Sequence, residues 1–452
     1  MRARLLSAKR ALETPIDAAS LGAFRIGLGL LLATLVARFF LRGWVTAFYV
    51  EPTFFFTYPG FGWVRPLGPA AMHGVFALLF LAGLLLATGR AFRVAALTAF
   101  VLFTYTELID RTTYLNHYYF LSVVLFLACL LPLDAALVLG KPADRTVPRY
   151  VLTVLRVQVG LVYVFAGLAK LRPDWLLRGE PLHLWLQMYD DLPVIGAWLA
   201  ERNVAIAMSW MGAVFDLSAP FLLLHPRTRP LAFVAVLAFH AITGLLFPIG
   251  MFPLIMALGA TLFFSPDWPR RVLRVLRVLR GARGLRAGGV RELGAPVRLP
   301  RAVTVLLVVH LVVQLVVPLR RFAYPGDTCF TEDGFRFAWQ VMLLEKRGLV
   351  TYTVTTPDGV SRFVDPKRAL RPHQYRQLST QPDLVLAYAH HLANEARARG
   401  EGRVAVHADA WVTWNGRRSQ PFVRPDVDLA SIPDTLASAT RYVPEPQQPQ
   451  RW

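Results

Sequence analysis

Residues 150–175 read Y-V-L-T-V-L-R-V-Q-V-G-L-V-Y-V-F-A-G-L-A-K-L-R-P-D-W. The run is apolar over some twenty residues, about what a helix needs to cross the hydrocarbon core of a bilayer. Pro173 bounds it, because proline lacks an amide hydrogen and disfavours helical geometry in the residue before it. Just before that boundary stands Lys170. A charge at this depth is costly, so Lys170 either snorkels its ammonium to the interface or faces a cavity or a partner as a working group.

Outward from this stretch, comparable blocks occur at 18–41, 70–88, 92–109, 117–139, 203–224, 229–249, 251–265 and 302–319. The block at 251–265 is short and bounded by Pro253 and Pro266, which suits a tilted or re-entrant segment. The segment 45–57 and the amphipathic stretch 176–200 read as interfacial. Of the 452 residues, 55% are hydrophobic and 17% charged, against about 25% charged in soluble domains. The chain therefore reads as a polytopic α-helical membrane protein with about nine spanning or re-entrant helices.

The net charge of +20 does not point to nucleic acid, because the arginines sit in short loops rather than on a basic face with interleaved aromatics. With the N-terminus inside, alternate connections carry Arg90 and Arg93, then Lys141, Arg145 and Arg149, then Arg227 and Arg229, and finally ten arginines in 266–301. That bias follows the positive-inside rule and places the C-terminal part outside. The arginine repeat at 270–286 reads as a topology anchor in preference to a lipid-headgroup site. The basic N-terminus precedes a first span with no small-residue cleavage site, so that span is expected to be retained. Cys129 and Cys329, the two cysteines, are not expected to pair, and no metal-ligand spacing is present.

From about 320 the composition becomes that of an ordinary soluble domain. Residues 349–364 read as a hairpin around P-D-G, 374–399 as a helix ending at Gly400, and 403–416 with 418–423 as a second strand pair. The expected organisation is a transmembrane region over 1–320, a small extramembrane α+β domain over 321–445 and a tail over 446–452.

Four polar features fall near the outer ends of the spans or inside them: Lys170, the pair Asn116–His117, His240 and Asp216. Each has a plain structural explanation: an interface anchor, a helix cap, a satisfied core histidine, and for Asp216 a structural hydrogen-bonding group between helices. Together they permit specific chemistry. Burial in an apolar pocket disfavours the charged form of an amine, and a neutral lysine can act as a general base toward a phenol or hydroquinone. No serine-hydrolase, zinc-protease, nucleotide or haem motif is present.

F-A-G-L-A-K-L-R-P-D-W (165–175) resembles the lysine-bearing active-site segment of vitamin K-dependent γ-glutamyl carboxylases. The resemblance extends through A-F-R-I-G-L-G (23–29), I-D-R-T-T-Y-L-N-H-Y-Y-F (109–120), M-G-A-V-F-D-L-S-A-P-F-L-L-L (211–224), F-H-A-I-T-G-L-L-F-P-I-G-M-F (239–252) and F-F-S-P-D-W-P-R-R (263–271). In the C-terminal part it continues through F-A-W-Q-V-M (337–342) and residues 409–429. The membrane region is similar to the bacterial horizontally dispersed transmembrane (HTTM) group. The resemblance implies that Lys170 deprotonates vitamin K hydroquinone (phylloquinol or menaquinol type). Dioxygen then adds, and the strong base so formed removes a γ-proton from a peptide glutamate. The carbanion captures carbon dioxide, and the quinone leaves as its epoxide. It further implies that His117 stabilises an anionic oxygen species, that Asn116 assists as a donor, and that His240, Trp339, Phe247, Met251 and Trp175 line a quinol or substrate pocket. No metal is implied. The expected partners are the bilayer and a glutamate-containing exported peptide, and the expected location is a bacterial inner membrane with the C-terminal domain periplasmic. Animal members extend beyond the point where this chain stops and carry a tyrosine where Phe335 stands. Two other readings remain open at this level: a quinol epoxidase without carboxylation, and a non-enzymatic quinone- or peptide-binding membrane protein.

Overall fold

The computed structural model describes residues 2–140, 144–279 and 297–447. Lys141, the segment 280–286 of the arginine repeat and the last five residues of the tail lie outside the described residues. Seven described helices are long and apolar enough to cross a membrane. In chain order, with two shorter apolar helices, they are α1 (Ala19–Leu41), α2 (Pro69–Thr88), α3 (Phe92–Ile109), α4 (Asn116–Leu130), α5 (Arg149–Lys170), α6 (Arg202–Leu224), α7 (Arg229–Leu246), α8 (Phe252–Thr261) and α9 (Arg301–Leu319). The chain is thus a multi-pass helical membrane protein followed by a small sheet-containing region. The short pair is α4 and α8. The fourth apolar block ends as a helix at Leu130, because Pro132 excludes helical geometry at Leu131. Residues 131–139 instead form turns. The eighth block is helical over only ten residues.

Burial ranks the helices. α5 has 61% of its apolar span inside the structure, against 17% for α7 and 22% for α9. α5 is therefore central, and α7 and α9 lie at the lipid-facing edge.

At one end of the bundle, backbone carbonyls are capped by arginines. Arg25 of α1 is fully buried. Its guanidinium donates to the carbonyls of Leu86 and Ala87 at the end of α2, and to Leu133 at 3.2 Å and Leu137 at 2.7 Å in the turns after α4. Gly89 makes room for it, since a Cβ there would lie 2.8 Å from the guanidinium carbon. Arg156 donates in the same way to Leu262 and Phe264, both at 2.8 Å, at the end of α8. The last carbonyls of a helix have no intrahelical partner, and in hydrocarbon each unpaired group costs several kcal/mol. Arginine, with five donors in a planar fork, serves several at once. A two-strand pairing of β1 (Pro15–Asp17) with β2 (Thr146–Pro148) and the ion pairs of Arg270 with Asp17 and Asp144 close the same end.

At the other end sits the four-stranded antiparallel sheet, ordered β4-β3-β5-β6, from β3 (Lys346–Thr355), β4 (Ser361–Val364), β5 (Ala405–Trp414) and β6 (Gln420–Pro421). Both expected strand pairs form. The expected helix over 374–399 is two helices, α10 (Pro372–Leu378) and α11 (Pro382–Ala398). Pro382 disfavours helical geometry at Gln381, and the chain turns there. The break has a further consequence: the carbonyl of Ser379, just past α10, sits where a Cβ on Gly348 of β3 would be, 1.9 Å away, so only glycine fits.

Charged residues of the loop between α3 and α4 clamp the sheet region to the bundle. Asp110 accepts from Gln374 at 2.8 Å. Arg111 pairs with Asp383 at 3.0 Å, and Arg336 reaches the same carboxylate at 2.6 Å. Asp174, after α5, holds Arg417 through two bonds of 2.9 and 3.0 Å. Cys129 and Cys329 are both free.

Arg25→Met leaves four carbonyls without their donor and is expected to destabilise the protein by about 3 kcal/mol or more, read by thermal unfolding in nanodiscs; a loss below about 1 kcal/mol would contradict the capping role. Burial by itself would raise the Asp383 carboxyl, but Arg336 and Arg111 outweigh it and hold the group down at about 2. A carboxyl depressed in the folded state stabilises above its ordinary range and loses that contribution as pH falls. The clamp is therefore expected to weaken between about pH 4 and pH 2. Asp383→Asn should flatten this part of the stability–pH profile, and an unchanged profile would refute it.

Candidate functional site within the bundle

Lys170 ends α5, where Leu171 and Pro173 stop the helix. Its side chain is buried, and its Nζ lies 2.7 Å from Asp216 Oδ2 on α6 and 3.4 Å from the carbonyl of Ala166. The helices meet closely because Gly167 faces Leu217; a Cβ at Gly167 would lie 2.7 Å from Leu217 Cγ. The chain then turns back through the short helix Pro173–Arg178, which sets the Trp175 ring 5.4 Å from Lys170 Nζ. The Trp175 indole donates to the carbonyl of Ser209 at 2.8 Å, so the ring is fixed from α6.

One stretch deeper on α5, Tyr163 Oη is 2.9 Å from His240 Nε2 on α7. The other ring nitrogen of His240, Nδ1, is buried without a partner among the described residues. Phe215, next to Asp216, lies 6.0 Å from Tyr163 and stacks on Phe239 at 4.1 Å. Phe252, opening α8, is 5.6 Å from His240 and 6.3 Å from His117. His117 is buried beside Gly250, which has a φ of +63°. A Cβ at Gly250 would sit 3.6 Å from His117 Nε2. A line of rings and polar groups thus runs from the Lys170–Asp216 pair to His117.

The remaining expected residues fall in different places. Asn116 donates from Nδ2 to the carbonyl of Gln340 at 3.0 Å and accepts from Tyr114 at 3.1 Å. Its amide holds the 337–342 loop, and among the described residues no hydrogen bond joins it to Lys170. Trp339 of that loop is fully buried, 4.8 Å from Tyr119, with its indole N–H unpartnered among the described residues. Three residues of this loop, Phe337, Trp339 and Met342, have φ of 62°, 56° and 57°, a strained region for side-chain-bearing residues. Phe247 belongs to a separate cluster against Trp185 at 5.6 Å. Met251 is buried beside Gly250 and Phe252.

Several polar residues that composition and motif reading passed over prove to be internal. Tyr163 is one. Gln314 of α9 donates to Tyr119 at 2.7 Å and accepts from Gln158 at 3.2 Å, and Gln158 in turn contacts His310 at 2.8 Å. The signal was present as polar residues on one face of apolar helices, but periodicity does not tell which faces meet. Among the described residues, no group of three His, Cys, Asp or Glu side chains is arranged to hold a metal ion.

Fold and site together define a multi-pass membrane protein with a buried amine–carboxylate pair at the bundle end that carries an extramembrane sheet. The HTTM domain family matches residues 13–268, and the family described as vitamin K-dependent gamma-carboxylase, lumenal domain, matches residues 299–448. The chain belongs to this HTTM-bearing vitamin K-dependent gamma-carboxylase family. No solved structure matches it.

Removing one member of a buried ion pair strands the other charge at a cost of about 3–5 kcal/mol, whereas replacing both with apolar groups costs far less. Lys170→Met and Asp216→Leu are each expected to destabilise by that order, and the double variant by less than either. Additive losses in a double-mutant cycle would show that the two side chains do not act as a pair.

Proposed function

We propose that the protein is a vitamin K hydroquinone-dependent γ-glutamyl carboxylase, coupling oxygenation of the quinol to its epoxide with carboxylation of a peptide glutamate. The observation that carries this reading is the buried Lys170–Asp216 pair in a family whose members are carboxylases. Across a 2.7 Å hydrogen bond, one proton moved from ammonium to carboxylate converts an ion pair into a neutral amine–acid pair. In an apolar site, where paired charges gain little over neutral groups, that neutral form supplies the base. Lys170 then accepts the quinol hydroxyl proton, and Asp216 holds the amine in place. Trp175 shields this amine from water, which strengthens polar interactions within the site.

The residues present suit a ring with polar edges. His240 Nδ1 is unpartnered among the described residues, His117 is buried beside Phe252, and Phe252 and Phe215 offer apolar walls. In this reading His117 donates to an anionic oxygen. His240 orients the ring with Tyr163, while Asn116 fixes the loop that carries Trp339. The quinol, of phylloquinol or menaquinol type, supplies the reducing power that activates dioxygen, and carbon dioxide is the other co-substrate. The arginine-capped end is assigned to the cytoplasm of a bacterial inner membrane, since positive charge stays inside. The sheet region, as a domain over 321–445, then faces the exported peptide, and residues 1–320 form the membrane domain.

The test gives purified protein reduced vitamin K, labelled bicarbonate and a glutamate-rich peptide. Wild type should yield epoxide and fixed label. Lys170→Ala should lower both by about 100-fold or more, the usual contribution of a positioned general base. Epoxide without fixed label would overturn carboxylation, and full epoxide formation by Lys170→Ala would overturn the assigned base.

A further inference from the structure

On the far side of α4 from His117 lies a cavity of about 260 Å³, between α3, α4 and α9. Two matching faces form its walls. Phe100, Thr104 and Glu107 recur at helical spacing on α3, and Tyr119, Ser122 and Phe126 do so on α4. Phe100 and Phe126 meet at 5.5 Å to make a floor, and Phe337 of the strained loop covers the top, 5.2 Å from Tyr114 and 4.9 Å from Tyr119.

Besides Tyr58 and His310, the latter held by Gln158 at 2.8 Å, the polar groups around this cavity are of two kinds. The hydroxyls of Tyr114 and Tyr119 are engaged with the Phe337 amide, Asn116 and Gln314. Thr104 Oγ1 and Ser122 Oγ are buried and unpartnered. Glu107, a carboxyl group within a membrane-spanning helix, makes no hydrogen bond or ion pair among the described residues. Buried polar atoms are nearly always paired, and an ionisable group in a span marks a site by default. Three unpaired groups on opposite walls of one apolar cavity call for a ligand that supplies hydrogen-bond donors on opposite edges. The cavity is below the usual size range for drug-sized ligands, so it takes a one- or two-ring head group and leaves any long tail in the lipid.

The geometry points to a second, non-catalytic binding site for a bilayer-dissolved hydroquinone head group, one hydroxyl donating to Glu107 and the opposite one to Ser122. The identity of this ligand rests on the proposed function; the existence of the site does not. The cavity holds a quinol at the same end of the bundle as Lys170 but separated from it by α4, as a station from which the catalytic pocket is supplied.

The experiment titrates the full chain in nanodiscs with menadiol under anaerobic conditions and reads stoichiometry and affinity by calorimetry. Wild type is expected to bind two equivalents. Ser122→Phe, which fills the cavity, should bind one. Glu107→Met removes an unpaired carboxyl, so it should fold at least as well as wild type while weakening the second site about tenfold, the effect of losing one hydrogen bond. The dimethyl ether of menadiol, with no donors, should fail at this site in wild type. A single equivalent in wild type, two in Ser122→Phe, or unchanged affinity in Glu107→Met would each overturn the inference. Failure of the carboxylase reading is separately visible, as absence of epoxide from wild type with two-site binding intact.

Discussion

The pairing of Lys170 with Asp216 constrains the whole of the sheet-bearing end. A lone ammonium inside a bundle would have to reach water or lose its charge. Placed 2.7 Å from a carboxylate on the next long helix, it has a partner inside the bundle, and α5 and α6 are held in register. That register requires Gly167, because a side chain there would strike Leu217 and separate the helices. It also fixes the path of the chain beyond α5. The turn at Pro173 returns the chain so that Trp175 covers the amine and Asp174 points outward to grip Arg417. Six residues, 170–175, therefore join the buried site to the extramembrane sheet.

The opposite end obeys a different demand. Arginine there is a backbone partner. Arg25 and Arg156 serve the last carbonyls of α2 and α8 and the turns after α4. A helix as short as α8, with ten residues, ends in carbonyls that need partners within the bundle, and a guanidinium is long and donor-rich enough to reach them. The short helices are tolerated because these residues are present.

Between the two ends, the loop at 337–342 shows how the extramembrane part shapes the bundle. Its three left-handed residues cost free energy, and they persist because Tyr114, Asn116 and the rings of Tyr119 and Phe120 hold the loop from the α4 side. Trp339 and Phe337 enter the helical region as a result, one beside the ring of Tyr119 and the other over the cavity that Glu107 faces. Asn116, adjacent to His117 in sequence, supports this loop and does not turn toward Lys170.

The class of protein was legible in the residue pattern alone. Long apolar blocks, with arginines between alternate ones, leave no other economical fold in a bilayer, and the strand pairs around P-D-G and N-G were readable from alternation and turn residues. The order of motifs from Arg25 to residue 429 was enough to indicate the family. It also marked Lys170, His117, His240 and Asp216 as groups needing an explanation. It did not show that Lys170 and Asp216 are each other's partners, since they lie 46 positions apart on helices whose facing sides periodicity leaves undefined. Nor did it show that Asn116 faces the loop, that Tyr163 meets His240, or that Glu107 stands unpaired in a cavity. Those facts depend on which helix faces touch, and that is settled only when small residues, prolines and the outer domain fix how the helices pack.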